Sequence, residues 1–340
     1  MIRVGIVGFG AMGRIRYEAV VQNSGASVLA VADPGPIGNI QGVKVFTTTE
    51  EMIEDSEIDA VFICTPNYLN QALTIQALHA GKHVFCEKPP AFNAQGVEAV
   101  IVAEQKSRGL KLMYGFNHRH HDSIIRAKEL VDSGQQGRLL WMRGRYGKSV
   151  DEHFYENWRA QKRWAGGGIL IDQGIHMLDL FLMMAGDFDE VQAFVSTLYW
   201  KVDVEDNVFA ILRNQAGVVA SLHSTMTQWR HLFALEMFLE HGYIVINGLL
   251  TTSGSYGEEA MTVAKNRTTA PAAKWRDSEE TVFKVNNSWQ REVDHFLDAV
   301  KSDTSIQYGT SGDALKLMGL VDKIYQNPHI PAQDQLGPAR

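Results

Sequence analysis

The chain has 340 residues, of which 45% are hydrophobic and 21% charged, enough for two domains of about 100–200 residues each. Its 32 basic and 39 acidic side chains give a net charge of −7, which excludes bulk attraction to nucleic acid or an anionic lipid surface. Two cysteines, Cys64 and Cys86, are too few for a disulfide framework or a four-thiolate zinc site and read as small core residues.

The opening MIRVGIVGFGAMGRIRYEA is apolar, but four glycines interrupt it and Arg14, Arg16 and Glu18 follow without a small-x-small cleavage site. No stretch of about 18 residues lacks charges or turn-formers, so no membrane span is expected and the cytoplasm is the default location.

Continuous apolar runs at Ile2–Val7, Ser27–Asp33, Asp59–Thr65, His83–Cys86 and Lys111–Tyr114 have the character of parallel strands covered on both faces. Helical spacing fills 12–23, 49–55, 67–80 and 93–108. This alternation predicts an open doubly wound sheet over residues 1–120. A helix at 121–134 and a strand at Arg138–Gly147 follow, then a polar, aromatic stretch (151–165), a glycine run and an apolar helix at 172–185. Strand-like segments recur near 188–200, 206–213, 217–226, 233–240 and 243–247, with turn signals at Asn214, Gly217 and His241-Gly242. These predict a second α+β domain over 121–340 with a mainly antiparallel sheet. Residues 251–280 read as a loop or hairpin, and helices at 288–301 and 310–326 close the chain.

Gly8-Phe9-Gly10-Ala11-Met12-Gly13 falls between the first strand and the first helix. There Gly8 permits the turn, Gly10 lets backbone approach a pyrophosphate, and Gly13 allows close packing of helix on strand. Asp33 ends the next strand 20 residues after Gly13, where a carboxylate accepts from ribose hydroxyls and repels a 2′-phosphate; NAD is the expected cofactor over NADP. Thr65-Pro66-Asn67 and Glu87-Lys88-Pro89 follow later strands, at the carboxyl edge where such sheets bind ligands. In Gly166-Gly167-Gly168-Ile169-Leu170-Ile171-Asp172-Gln173-Gly174-Ile175-His176, Asp172 and His176 are four apart at a helix start and share one face.

Together these three clusters resemble the glucose–fructose oxidoreductase / inositol dehydrogenase family (Gfo/Idh/MocA), along the whole chain. The resemblance implies a Rossmann domain, a second domain whose open sheet often forms the oligomer contact (a homodimer or homotetramer), and an NAD(P)-dependent dehydrogenase of sugars, sugar derivatives or cyclitols. By the same resemblance Lys88, Asp172 and His176 form the catalytic set, and Thr65, Pro66 and Asn67 line the cofactor with Glu87 and Lys88. Asn117 and Arg119 lie in a stretch similar to the family's G-[FY]-N-x-R at the domain junction. Trp158 and Arg159 resemble a W-R pair that reaches the nicotinamide or substrate. The family's T-P-N-x-x-H often ends in histidine, where this chain has Asn70.

Alcohol oxidation asks for a base for the hydroxyl proton and a hydride acceptor held about 3–3.5 Å from the carbinol carbon. Histidine titrates near neutrality and suits proton transfer, and Lys88 would steady the developing alkoxide. The residues alone also admit duller roles: His176 as a core histidine, Asp172 as a helix N-cap, Lys88 as a solvated loop lysine. His118, Arg119, His120, His121 and Asp122 read as solvated surface, and no metal is expected. The basic run Arg159, Lys162, Arg163 would suit an anionic substrate or a surface loop. An NAD-retaining glycosidase and a non-catalytic NAD-dependent regulator are the rival functions.

Overall fold

The computed structural model describes residues 1–265, 274–327 and 329–331. It divides into two compact units, 1–120 with 287–319 and 121–286 with 320–340.

The first unit carries a six-stranded parallel sheet ordered β3-β2-β1-β4-β5-β6. Its strands are β1 (Ile2–Val7), β2 (Ala26–Ala32), β3 (Lys44–Phe46), β4 (Ala60–Ile63), β5 (His83–Glu87) and β6 (Leu112–Gly115). Helices α1 (Ala11–Gln22), α2 (Thr49–Glu54), α3 (Asn67–His79) and α4 (Ala94–Lys106) connect them. Order 3-2-1-4-5-6 is the dinucleotide-binding arrangement, with its crevice where the order reverses. β1, β4 and β5 are buried along nearly their whole length, which is why they read as unbroken apolar runs. The edge strand β3, three residues long and mostly exposed, is too short to leave such a signal.

The sequence reading assigned everything after residue 120 to one domain; the structure returns 287–319 to the first unit. On α8 (Ser288–Ser302), Val293, Phe296 and Leu297 join Val4, Ile6, Phe62 and Phe85 in one core. Each such buried side chain contributes roughly 1.5–3 kcal/mol. Phe296 meets the stacked Phe62–Phe85 pair edge-on. Tyr114 N donates to Gly309 O at 2.7 Å, tying the returning segment to β6.

The second unit begins at α5 (Asp122–Asp132) and holds a nine-stranded sheet ordered β14-β13-β12-β11-β7-β10-β9-β8-β15. Its strands are β7 (Leu139–Gly147), β8 (Glu190–Thr197), β9 (Asn207–Arg213), β10 (Val219–Thr225), β11 (Leu232–Leu239), β12 (Gly242–Asn247), β13 (Glu259–Lys265), β14 (Ser278–Phe283) and β15 (His329–Pro331). All pairings are antiparallel except β10 with β7 and β15 with β8. Gly217, at φ 82°, makes the turn between β9 and β10, and its N–H reaches Asn214 O. Part of the region read as loop or hairpin is the β13–β14 pair; 266–273 lie outside the described residues.

After β7 come a four-residue helix α6 (Lys162–Ala165), a π-helical turn Leu170–Gly174 and α7 (Ile175–Ala185); α9 (Ser311–Tyr325) closes the helical set. The inner face of β7 meets α7 at Gly144, where a Cβ would lie 2.4 Å from Met177 and 2.7 Å from Phe181. That close approach needs glycine and seats the helix bearing His176 on the sheet. Lys162–Ala185 is by length and composition alone apolar enough to cross a membrane, but 72% of its apolar window is buried inside the protein, as in a core helix. The opposite sheet face leaves Phe194, Phe209 and Ile211 exposed.

Candidate active site

In the first unit the glycine loop has the form a dinucleotide requires. Gly8 sits at φ 84°, and a Cβ there would come within 2.6 Å of Cys64 O; at Gly13 one would lie 2.0 Å from Gly8 O. Around Gly10, by contrast, a Cβ would meet nothing within 4 Å. Gly10 caps α1 without a side-chain hydrogen bond. Gly10 and Ala11 are exposed and Met12 half-buried, so the helix start faces open space with amides suited to phosphate oxygens. Asp33 accepts from Phe9 N at 2.7 Å and from Gly35 N at 2.8 Å, which fixes its carboxylate beside the loop. These residues fit NAD.

Thr65, Pro66, Asn67 and Lys88 are half-buried, and Glu87 is buried. The sequence did not foretell that Asn70, the departure from the family pattern, joins the two clusters. Its Nδ2 donates to Glu87 O at 3.0 Å and Pro89 O at 2.9 Å, and its Oδ1 accepts from Thr65 Oγ1 at 3.0 Å. The loop after β4 is thereby bonded to the loop carrying Lys88, whose peptide to Pro89 is cis. Beneath that loop, buried Arg16 donates from Nε to Glu87 Oε1 at 2.8 Å and pairs with Glu292, and its guanidinium lies over the rings of Phe85 and Trp289.

The histidine-rich stretch corrects the sequence reading. His118, Arg119, His120 and His121 are all at most 9% exposed, not a solvated surface, because Asn117–His120 forms a 3-10 turn in contact with α8. Asn117 and Arg119, expected at the substrate, are buried; Asn117 Nδ2 lies 3.5 Å from Ser288 Oγ, and Arg119 Nη1 lies 3.2 Å from Asp313 Oδ2. His121 Nδ1 is 2.7 Å from Glu259 Oε2. Among the described residues no group of three or more His, Cys, Asp or Glu side chains is arranged to hold a metal.

In the second unit Asp172 lies within the π-helical turn, not at a helix N-cap, and His176 is in the first turn of α7. Lys148, which sequence reasoning missed, hydrogen-bonds Asp172 Oδ2, and Arg159 Nε lies 3.6 Å from Asp172 Oδ1. The Lys148 and Asp172 side chains are only 14% and 15% exposed. Arg159 also stacks over Trp158, 4.3 Å from its ring centre. The rest of the basic run points elsewhere: Arg163 bonds Gln161 and stacks on Trp164, and both Lys162 and Arg163 are exposed. The ring of buried Tyr146 lies 6.2 Å from that of His176 and 5.3 Å from that of Tyr256. Burial drives the Tyr146 hydroxyl well above the usual phenol range, with Tyr256 and Asp172 adding to it. Tyr256 is pushed up too, chiefly by burial and then by Asp172; both stay protonated as hydrogen-bond donors.

Residues 2–116 match the family model described as "Oxidoreductase family, NAD-binding Rossmann fold", and 124–245 match the GFO/IDH/MocA C-terminal domain. Inositol 2-dehydrogenase of Rhizobium meliloti is 30% identical over 238 residues, 66% of this chain and 68% of that enzyme. Levoglucosan dehydrogenase of Pseudarthrobacter phenanthrenivorans is 32% identical over 225 residues, 58% of this chain, and the match spans 57% of that relative's length. A solved structure of levoglucosan dehydrogenase in complex with NADH and levoglucosan is similar at TM-score 0.84 and 25% identity, covering 96% of both chains. A nucleotide-binding unit with this strand order, followed by this open sheet, is the architecture of a two-domain oxidoreductase. The chain belongs to the Gfo/Idh/MocA family.

Proposed function

We propose that the protein is an NAD-dependent dehydrogenase that oxidises a secondary hydroxyl of a sugar, sugar derivative or cyclitol. The observation that carries this reading is the placement of Asp172, engaged by Lys148 and Arg159, one helical turn before His176. NAD⁺, when bound, supplies the hydride acceptor. Gly8–Gly13 and Asp33 hold its pyrophosphate and ribose, while Thr65, Pro66, Asn67, Glu87 and Lys88 serve its nicotinamide half. His176 takes the hydroxyl proton, a role for which an imidazole is suited near neutral pH. Lys88, on the cofactor side, is suited to hydrogen-bond a substrate oxygen and stabilise it as charge develops. Asp172, hydrogen-bonded by Lys148 and ion-paired with Arg159, binds a neighbouring hydroxyl or orients His176; Lys148 keeps its carboxylate in place. Levoglucosan dehydrogenase and inositol 2-dehydrogenase, relatives in name, act on compounds of the proposed class.

Trp141 stacks on Phe238 at 4.1 Å, and His223 stacks on Phe209 at 3.9 Å. This leaves a broad, partly apolar sheet face of the kind that a second copy of the chain covers in a homodimer or homotetramer. The proposed setting is the cytoplasm.

The test is absorbance of NADH across a panel of levoglucosan, myo-inositol, aldoses, polyols and nucleotide sugars. Net NADH formation with a panel member is the expected result. Hydrolysis without net NADH would replace this reading with an NAD-retaining glycosidase, and neither reaction would leave a regulator.

A further inference from the structure

We propose that Glu205 and Tyr325 are positioning residues for Asp172 and His176: a buried carboxylate and a half-buried phenol that fix the glycine run from which both proposed catalytic side chains are presented. This deepens the reading above and rests on it.

Glu205, 5% exposed, lies in the loop before β9. Its Oε2 accepts from Gly168 N at 2.8 Å, and its Oε1 accepts from Leu170 N at 3.0 Å and from the Tyr325 hydroxyl at 2.8 Å. Its backbone carbonyl accepts from Ile169 N at 3.0 Å. One residue therefore binds three consecutive amides, 168 to 170. Gly168 O then accepts from Asp172 N at 3.0 Å, so the turn bearing Asp172 is built directly on the clamped segment. Ser224 adds a tether from the sheet, donating to Tyr146 O at 2.8 Å with Ile169 O at 3.4 Å.

The glycines answer to the clamp. A Cβ on Gly168 would lie 2.0 Å from Glu205 O, and one on Gly167 would lie 2.1 Å from the Tyr325 hydroxyl. Neither φ is in the left-handed region, so it is space, not backbone conformation, that requires glycine there. A buried carboxylate is costly unless its oxygens are satisfied. Burial pushes the Glu205 carboxyl up, and the Tyr325, Gly168 and Leu170 donors pull it back. Besides Tyr325 and the residue's own backbone N–H, these donors belong to the segment leading to Asp172. That is an arrangement for holding the segment.

Glutamine cannot replace this acceptor. Whichever carboxylate oxygen becomes an NH₂ group, it faces Gly168 N–H or Leu170 N–H, donor against donor. Glu205→Gln should therefore speed hydrogen exchange at amides 168–172 at least tenfold and lower kcat ten- to hundredfold on the panel substrate that is turned over, with KM and the Kd for NADH (by fluorescence) within threefold. Tyr325→Phe, which keeps the backbone bonds, should move exchange and kcat the same way by three- to tenfold, and it serves if the Glu205 variant does not fold. Unchanged exchange in both folded variants, or faster exchange with unchanged kcat, overturns the proposal. If no panel compound is turned over, the dehydrogenase reading fails, while the exchange rates alone still decide whether the clamp holds.

Discussion

The guanidinium of Arg16 lies 2.6 Å from Glu292 Oε2, and neither side chain has any exposure to solvent. Glu87 takes the same guanidinium at 2.6 Å, so one buried cation serves two carboxylates. Burial drives Glu292 up to about 7; Arg16 pulls it back and Glu87 adds to the rise. A carboxyl raised in the folded state above its ordinary value near 4.5 binds more protons folded than unfolded between those limits. Its contribution to stability is full below about 4.5 and is lost as pH rises through 7. Glu292→Gln should remove this loss, at most about 3 kcal/mol. Urea unfolding at pH 5.5 and 8.5 should give a smaller difference for the variant than for the wild type; equal differences would refute the assignment. Arg16→Met, which strands both carboxylates, should cost about 3–5 kcal/mol.

His120 works in the opposite sense. Burial, followed by the charges of His295, Arg16, Arg119 and Arg291, holds its imidazole down to about 3. The unfolded chain takes up the proton near 6.5, so stability present above that pH is lost as pH falls toward 3. Between pH 6.5 and 4 the loss should reach about 3 kcal/mol. His120→Gln should flatten the acid limb of a thermal-melting profile, and an unchanged limb would rule His120 out as its source.

Gly10 and Gly13 should separate binding from folding. Gly10→Ala adds a methyl in open space at φ −72°, so stability should stay within about 1 kcal/mol. The Kd for NADH, measured by fluorescence, should rise at least tenfold because the methyl occupies the pyrophosphate's approach. Gly13→Ala sets a Cβ against Gly8 O and should unfold the first unit's turn, lowering Tm. Tight NADH binding by the Gly10 variant would remove the loop from cofactor binding.

Asp33 should set cofactor choice. With Phe9 N and Gly35 N holding the carboxylate, kcat/KM should favour NAD over NADP at least tenfold, and Asp33→Ser should narrow that ratio. Steady-state kinetics favouring NADP in the wild type would contradict this.

His176→Ala should lower kcat by about 10²–10⁴ while NADH binding is retained, the size expected for loss of a general acid–base group. Near-normal turnover would take His176 out of the mechanism.

The first unit was legible because a covered parallel strand must be apolar throughout, and because Gly8, Gly10, Gly13 and Asp33 are local in sequence. β3 was not, being three residues at an edge. Long-range pairs escaped for a different reason. Lys148 and Asp172 are bonded across 24 residues, Glu205 and Leu170 across 35, and a lone charged residue in a polar stretch carries no period or spacing. The histidines after Phe116 looked solvated because nothing local reveals that 287–319 comes back to that part of the fold. Asn70 was legible as a departure, but its function as a brace between Thr65 and Glu87 emerges only when the two loops are adjacent.

That returning segment makes the nucleotide-binding half discontinuous in sequence. Residues 1–120 taken alone would leave Arg16 without Glu292 and would uncover the Phe62–Phe85 surface that Phe296 closes. A chimera that exchanges cofactor specificity with a relative therefore needs two break points, so that 287–319 travels with the N-terminal portion. A single-crossover swap near residue 120 would join halves whose interiors were never matched to each other.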